Sequence, residues 1–237
     1  MGFFDDDGFR RAVRDYRFLL DRGYPEKPVQ KLVGDRYRLT KEGRMVLYRG
    51  VLPPENARLN AAKRVEGNDL PPPFRAGGPE NGPDESPSLT VDAYNVILTC
   101  MNYLLGKPVF ISDDGFIRDI GGMHGRIYDT GAFRRAAGLV LGYLAEEGIF
   151  SEMVLDGPVY NSGRHRRIIE EETAVSGAAC RIVSAESADG YLREHARGAA
   201  ATSDSEIIGL AGVPVFDLAA AVIRARFGPG LFDLRTI

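Results

Sequence analysis

Four aspartates stand at the boundaries of predicted strands and helices: Asp92, Asp156, Asp189 and Asp204. Intervals of 64, 33 and 15 residues separate them, which suits successive strand–helix units that deliver all four to one rim of a sheet. Carboxylates that converge repel one another unless divalent cations neutralise them, and oxygen-rich sites suit Mg²⁺ or Mn²⁺. Two such ions about 4 Å apart can activate a water on one side of a phosphodiester and stabilise the leaving oxygen on the other. The four residues therefore predict a metal site for phosphodiester hydrolysis.

Each of these acids also has an ordinary structural explanation. Asp189 and Asp204 stand where a helix needs an N-cap, and for each residue taken singly capping is the favoured interpretation. Asp92 lies in an apolar run, where burial of its carboxylate is costly unless a cation or a hydrogen-bond donor compensates it. Asp156 ends an apolar strand and precedes a Gly-Pro loop. The conjunction of the four favours metal binding over capping.

A basic segment follows Asp156 closely and leads into a predicted helix. It contains Arg164, His165, Arg166 and Arg167. Cationic side chains and free amides at a helix start suit phosphate, so these residues are predicted to contact nucleic acid beside the metal. A solvated basic helix start without a ligand explains the same pattern equally well.

From Ser88 onward the sequence alternates between short apolar strands and segments with helical spacing. The run 89–97 is interpreted as the first strand and 98–106 as the first helix, and further pairs continue to residue 227. Strands separated by about 10 to 15 helical residues imply right-handed crossovers and a mainly parallel sheet. The sequence thus predicts an α/β fold with helices on both faces of the sheet and ligands at the carboxyl ends of its strands.

The first 52 residues are predicted to form a basic helical module, in which the segment 5–7 caps a first helix and Thr40 caps a third. Between Arg10 and Leu52, 12 Lys and Arg stand against 5 Asp and Glu, a net charge of +7, so the rest of the chain sums to −10. This contrast suggests a polyanion that is held by the first part and processed by the second, and a solvated helical surface is an equal alternative. The candidate phosphate contacts of the module are Arg36, Arg38 and Arg44.

A proline-rich stretch separates the two parts. Of the 14 prolines, 8 lie in residues 53–87, and this stretch is interpreted as a linker. The predicted organisation is a helical module over 1–52, a linker over 53–87 and an α/β domain over 88–237.

The motifs VDAYNVI, VLDGP, AESADGYL and ATSDSEII, in that order, resemble the acidic motifs of the PIN-like superfamily, especially NYN-type ribonuclease domains. The resemblance covers about residues 88–226 and implies a three-layer α/β sandwich that hydrolyses RNA with Mg²⁺ or Mn²⁺. It also implies roles for single residues. The four aspartates would be the metal-binding and catalytic acids, Asn95 would be the partner of Asp92, and Ser203 would hold the loop of the fourth motif.

The N-terminal segments RGYP and LVGDRYRL resemble the front module of an uncharacterised prokaryotic family, in which that module precedes a PIN-like domain. This second resemblance implies the arrangement of the two parts and no activity.

Departures from the PIN-like pattern keep a second function open. The predicted first helix offers no acid, and the fourth motif continues as Ser205-Glu206 where many relatives have a further aspartate. A catalytically degenerate PIN-like domain that binds nucleic acid or acts as a scaffold is therefore the alternative to a nuclease. Asp114 and Asp119 are secondary candidates, because their segment is either a hairpin that carries acids to the rim or an ordinary Asp-Gly turn. A nucleotide-binding enzyme or phosphatase is disfavoured, since no Gly-rich phosphate loop follows the first strand.

The composition is that of an ordinary globular protein, with 44% hydrophobic and 27% charged residues. The two cysteines and three histidines are scattered along the sequence, which argues against a structural zinc site of four such ligands. No apolar run approaches the roughly 18 residues of a membrane span, and the first ten residues carry three aspartates where a signal peptide carries positive charge. We therefore expect a cytoplasmic protein that does not bind a membrane. The resemblance implies that its partner is nucleic acid, in particular RNA, and a homo-oligomer stays open.

Overall fold

A computed structural model describes residues 4, 6–67, 70, 87–121, 127, 129–228 and 230–237. The α-helices of these ranges are α1 (Asp7–Asp21), α2 (Glu26–Arg36), α3 (Lys41–Gly50), α4 (Pro54–Lys63), α5 (Ala93–Leu104), α6 (Thr130–Glu146), α7 (Ser162–Ser176), α8 (Ala188–His195), α9 (Ser205–Leu210) and α10 (Leu218–Phe227). The β-strands are β1 (Arg64–Val65), β2 (Leu89–Asp92), β3 (Val109–Ile111), β4 (Ile117–Asp119), β5 (Ser151–Asp156), β6 (Cys180–Ala185), β7 (Ala199–Ala201), β8 (Val215–Phe216) and β9 (Phe232–Asp233). Among the described helices, none is long and apolar enough to cross a membrane.

Six parallel strands form the main sheet, in the order β1-β8-β7-β2-β5-β6. Helices α5, α6, α7 and α10 pack on one face of this sheet, and α8 and α9 pack on the other. Successive side chains of a strand point to opposite faces, so Met153 and Leu155 join the first core and Val154 joins the second. The predicted α/β fold, a three-layer sandwich with a mainly parallel sheet and a small N-terminal helical module, is confirmed. Because all six strands run in one direction, their carboxyl ends share one edge of the sheet.

The helical module begins as the sequence predicts. Asp6 caps α1 by accepting a hydrogen bond from Phe9 N at 2.8 Å, and Thr40 caps α3 by accepting one from Gly43 N at 3.2 Å. The apolar positions of α1 are spaced for a single buried face, which consists of Phe9, Ala12, Val13, Tyr16 and Leu20.

The module packs directly on the α/β domain. A second sheet, ordered β4-β3-β9, contributes Phe110 of β3 to the apolar cluster of α1, α2 and α3. Gly50 at the end of α3 allows this close approach, because any side chain there would collide with Phe110 and with Leu234. Arg17 adds an ion pair with Asp113, whose oxygens lie 2.6 and 3.2 Å from its guanidinium nitrogens. The two parts therefore share a core.

The predicted linker over 53–87 begins with regular structure. Residues 54–63 form α4, and Arg64–Val65 form β1, which pairs with β8 at the edge of the main sheet. Proline at the first position of a helix interrupts nothing, since the N–H that it lacks would have no intrahelical partner, so Pro54 starts α4 rather than preventing it. Residues 71–86 of the predicted linker lie outside the described residues.

The first strand is shorter than the prediction of 89–97. Strand β2 ends at Asp92 and α5 starts at Ala93, so the predicted first helix begins five residues early. The β-branched residues Val96 and Ile97 were misleading, because tertiary burial in the core outweighs their weak local preference for a strand. The structure also contains α9, which the sequence analysis did not predict.

Candidate functional site

The four aspartates lie along the carboxyl edge of the main sheet. Asp92 is the last residue of β2, and Asp156 is the last residue of the neighbouring strand β5. Asp204 follows β7, the neighbour of β2 on its other side, and Asp189 lies in the first turn of α8, which follows β6. The strand order β7-β2-β5-β6 therefore brings all four sequence positions to one side of the molecule.

The carboxylates of this edge influence one another. Burial raises the pKa of Asp92 to about 8; the hydrogen bond from Asn95 N opposes this rise, and the negative charges of Asp189, Asp156 and Asp204 add to it. Loss of solvation also raises the pKa of Asp189, and the charges of Asp204, Asp156 and Glu206 raise it further. Glu206, at the start of α9, is thus a further acid of this edge that the sequence analysis did not select.

No basic side chain neutralises this group of charges within the part of the chain that the structure describes. Every salt bridge of the described residues uses acids other than Asp92, Asp156, Asp189 and Asp204. Grouped carboxylates without a cation are electrostatically unfavourable, and a divalent cation removes that cost.

Backbone amides satisfy one oxygen of three of these carboxylates. Asp92 Oδ1 accepts from Asn95 N at 3.0 Å, and Asp156 Oδ1 accepts from Ala188 N at 2.6 Å. Asp204 Oδ1 caps α9 by accepting from Glu206 N at 2.9 Å. Among the described residues, Oδ2 of each of these aspartates has no hydrogen-bond donor and faces no salt-bridge partner. In each of these three aspartates, one oxygen thus accepts a backbone hydrogen bond and the other is open to a further ligand.

Asp189 does not cap its helix. The cap of α8 is Ser187, whose hydroxyl oxygen accepts from Gly190 N at 3.2 Å. The capping alternative is thus correct for Asp204 and wrong for Asp189, and Asp92 is itself the N-cap of α5 rather than an interruption inside a strand.

The donor set fits a hard divalent cation in chemistry, because all four groups offer carboxylate oxygen. Their positions are not yet those of ligands: within the described ranges, no three His, Cys, Asp or Glu side chains are close enough to hold one ion. An ion held by three of these residues would therefore require their carboxylates to move toward one another.

Asn95 and Ser203, the two predicted supporting residues, are hydrogen-bonded to each other. Asn95 Oδ1 accepts from both the backbone N and the hydroxyl of Ser203, each at 2.8 Å. This pair ties the start of α5, which carries Asp92, to the loop that carries Asp204.

The two secondary candidates, Asp114 and Asp119, have structural partners. Asp114 is buried and receives two hydrogen bonds from Arg118, at 2.8 and 2.7 Å. Burial favours a raised pKa for Asp114, but the charge and hydrogen bonds of Arg118 outweigh it and lower the pKa. Asp119 Oδ2 lies 2.9 Å from Thr99 Oγ1, and Asp119 Oδ1 accepts from Gly121 N. The sequence left a hairpin and an ordinary Asp-Gly turn as alternatives for this segment. The structure contains both, because β3 and β4 pair antiparallel and the turn at 113–115 joins them.

The basic segment divides into buried and exposed residues. His165 was predicted to contact nucleic acid, but its ring is only 1% exposed, since it packs between Tyr94 and Phe133. Its Nδ1 lies 3.0 Å from the hydroxyl of Tyr94, and burial, followed by the charge of Arg164, lowers its pKa. The prediction for His165 is therefore corrected: it is a neutral core residue next to Tyr94, which the sequence analysis missed.

The arginines of this segment differ in availability. Arg166 is bonded to Glu170 at 2.8 Å and to the carbonyl oxygen of Ile182 at 3.2 Å. Arg164 and Arg167 are exposed, and the contact of Arg164 to Thr130 Oγ1 is long, at 3.4 Å. Arg164 and Arg167 remain candidates for contact with a phosphate.

The arginines predicted for the helical module also divide. Arg44 donates to Asp35 at 2.9 Å and to the carbonyl oxygen of Leu39 at 3.1 Å, so the structure assigns it a packing role instead. Arg36 is exposed and lies 3.8 Å from a carboxylate oxygen of Asp15. Arg38 is exposed, in a left-handed backbone conformation with φ of 50°.

Comparison with known proteins gives two family matches. The family described as "Domain of unknown function (DUF5616)" matches residues 85–221, and the family described as "Protein of unknown function (DUF434)" matches residues 8–63. An uncharacterized protein of Methanocaldococcus jannaschii is 24% identical over 215 residues, which cover 90% of this chain and 96% of that protein. No solved structure matches the chain with statistical significance.

Proposed function

The chain belongs to the DUF5616 family, and we propose that it is a metal-dependent nuclease that hydrolyses phosphodiester bonds in RNA. In this proposal Asp92, Asp156, Asp189 and Asp204 hold Mg²⁺ or Mn²⁺ at the carboxyl edge of the main sheet. Strand ends of parallel sheets are where α/β proteins place their ligands.

The observation that carries the proposal is the shared electrostatics of the four aspartates. Burial raises the pKa of Asp92, and the charges of Asp189, Asp156 and Asp204 add to this rise. Among the described residues, no salt bridge joins a basic side chain to any of the four. Asp114 provides the contrast, because this buried carboxylate is neutralised by Arg118.

The residues around the aspartates have separate tasks in this proposal. When bound, a divalent cation supplies Lewis acidity to the scissile phosphate and lowers the pKa of a coordinated water. The carboxylates position the cation and do not attack the substrate. Asn95 and Ser203 fix the spacing between Asp92 and Asp204, and the exposed guanidinium groups of Arg164 and Arg167 bind the phosphates of the strand.

The experiment is cleavage of a fluorescent single-stranded RNA in Mn²⁺ by the parent, Asp92→Asn and Asp204→Asn. Loss of a metal-binding carboxylate is expected to reduce the rate by at least about 100-fold. The matched control is Asp217→Asn, because Asp217 is also a buried N-cap at the end of a strand, β8, but it is not one of the four acids proposed to hold the metal. Cleavage by Asp92→Asn at the rate of the parent would refute the proposal.

One observation favours a second function, binding of nucleic acid without cleavage. Asp92, Asp156 and Asp204 each satisfy a backbone amide, so each has a structural role that does not depend on a metal. A melting series in Mn²⁺ distinguishes the two functions, because a ligand that binds only the folded state raises the melting temperature. The nuclease requires a rise that Asp92→Asn and Asp204→Asn abolish, whereas the binding protein shows no rise and retains affinity for RNA.

A further inference from the structure

Two buried donors hold the loop that carries Asp204. Arg118 Nε donates to the carbonyl oxygen of Ser203 at 2.8 Å, and Asn60 Nδ2 donates to the carbonyl oxygen of Ser205 at 3.2 Å. Arg118 and Asn60 are each only 2% exposed. The residues before and after Asp204 are therefore anchored by side chains from β4 and from α4.

One carboxylate orients both donors. Asp114 Oδ2 accepts from Arg118 Nη2 at 2.7 Å and from Asn60 Nδ2 at 3.1 Å. Since the carboxylate is fixed by a two-point ion pair, the amide of Asn60 has little freedom to turn away from Ser205. The network continues from Ser203 to Asn95 Oδ1, which accepts from Ser203 N. The backbone N of Asn95 in turn donates a hydrogen bond to Asp92 Oδ1.

Asn60 belongs to the N-terminal part of the chain, within residues 8–63. Helix α4 packs against α9, whose last turn it also contacts through Lys63. A second element of the same part reaches this edge, because Glu26 at the start of α2 is close enough to Glu206 for the two charges to interact.

From this geometry we infer that Asn60 is a positioning residue of the candidate site, and that the N-terminal helices complete that site instead of forming a separate module for holding nucleic acid. The identity of what the site binds rests on the proposed function. The anchoring of the Asp204 loop by Asn60 does not depend on the proposed function, and it is measurable in the metal-free protein.

The test compares Asn60→Ala with Arg17→Gln in the full chain. Both variants remove a contact between the N-terminal helices and the α/β domain. The Arg17–Asp113 pair lies at the turn of the second sheet, and within the described part of the chain neither residue bonds to residues 202–208. Amide hydrogen exchange of residues 202–208 is measured without metal, and Mn²⁺ binding is measured by calorimetry. Asn60→Ser, which leaves a smaller cavity and a hydroxyl donor, replaces Asn60→Ala if the latter does not fold.

For Asn60→Ala we expect exchange in 202–208 to accelerate about tenfold, as the loss of one buried hydrogen bond predicts. Mn²⁺ is expected to bind about tenfold more weakly, as after loss of an outer contact of a metal site. Arg17→Gln is expected to change neither quantity.

Equal exchange in 202–208 for the parent and Asn60→Ala overturns the inference, and so does an equal acceleration in Arg17→Gln. Failure of the parent to bind Mn²⁺ overturns the proposed function instead, and the exchange comparison still decides whether Asn60 anchors the loop.

Discussion

At the scale of residues, Asp92 is both a helix cap and a member of a group of acids. It caps α5 through Oδ1, and it shares the electrostatic field of three further aspartates. A carboxylate in this position costs folding stability whenever it is ionised without a cation.

Replacement of Asp92 by Asn is expected to stabilise the metal-free protein at alkaline pH. The pKa of Asp92 is raised from 3.8 in an unfolded chain to about 8, so between these values the folded protein retains a proton that the unfolded chain has released. The free energy of unfolding therefore falls as the pH rises through this window and levels off above it. Asparagine does not ionise, and its side-chain oxygen still accepts from Asn95 N. The free energy of unfolding of Asp92→Asn should therefore exceed that of the parent by at least about 1–2 kcal/mol near pH 8.5.

Thermal melts in EDTA between about pH 4 and pH 9 measure this difference, which should disappear at the acidic end. Saturating Mn²⁺ should reverse the order of the two proteins. Parallel pH profiles for the parent and Asp92→Asn would contradict the expectation.

The types and positions of the four aspartates could be predicted from sequence because each occurs in a short motif next to a strand. The burial of His165 and the pairing of Asp114 could not be predicted in this way. Burial of His165 depends on Phe133, which lies 32 residues earlier and on another helix, and pairing of Asp114 depends on the turn that brings Arg118 back toward it. Contacts of this kind are set by tertiary packing and leave no local pattern.

At the scale of elements, α4 shows how a proline-rich sequence conceals a helix. Pro53 and Pro54 resemble the rest of the predicted linker, yet they only mark where the helix starts. The end of β2 was misplaced for a related reason, because the apolar residues of α5 are buried on nearly all sides and show no helical periodicity. By contrast, α1 has one apolar face and was predicted accurately.

The contact between α4 and α9 predicts a stability effect for Lys63→Met. The ammonium group of Lys63 lies at the end of α9 and donates to three carbonyl oxygens, at 2.9, 2.6 and 2.9 Å, those of Ile208, Gly209 and Ala211. Loss of these charged hydrogen bonds should reduce the free energy of unfolding in urea by about 1–2 kcal/mol.

Lys31→Met serves as the control, because Lys31 makes a single exposed ion pair with Asp35 and its removal should cost no more than about 0.5 kcal/mol. Similar losses for the two variants would show that Lys63 does not stabilise α9.

At the scale of the whole molecule, the shared core predicts cooperative unfolding of both parts. Leu47 of α3 is fully buried in the cluster that also contains Phe110 and Leu234 of the α/β domain. Leu47→Ala should therefore lower the free energy of unfolding by about 2–4 kcal/mol and keep a single transition.

Urea unfolding followed by circular dichroism and by amide exchange of β2 measures this coupling. If Leu47→Ala melts the N-terminal helices first and leaves the exchange of β2 unchanged, the two parts are thermodynamically independent.

The hydrogen bond between Asn60 and Asp114 makes the two family-matched segments depend on each other, since it joins a residue within 8–63 to one within 85–221. A descendant that lacks the first segment leaves the carbonyl oxygen of Ser205 and a carboxylate oxygen of Asp114 without their donor Asn60, and a mutation on one side alters which substitutions the other side tolerates. Recombination that exchanges only one of the two segments between distant lineages should therefore yield proteins that need compensating changes at positions 60 and 114.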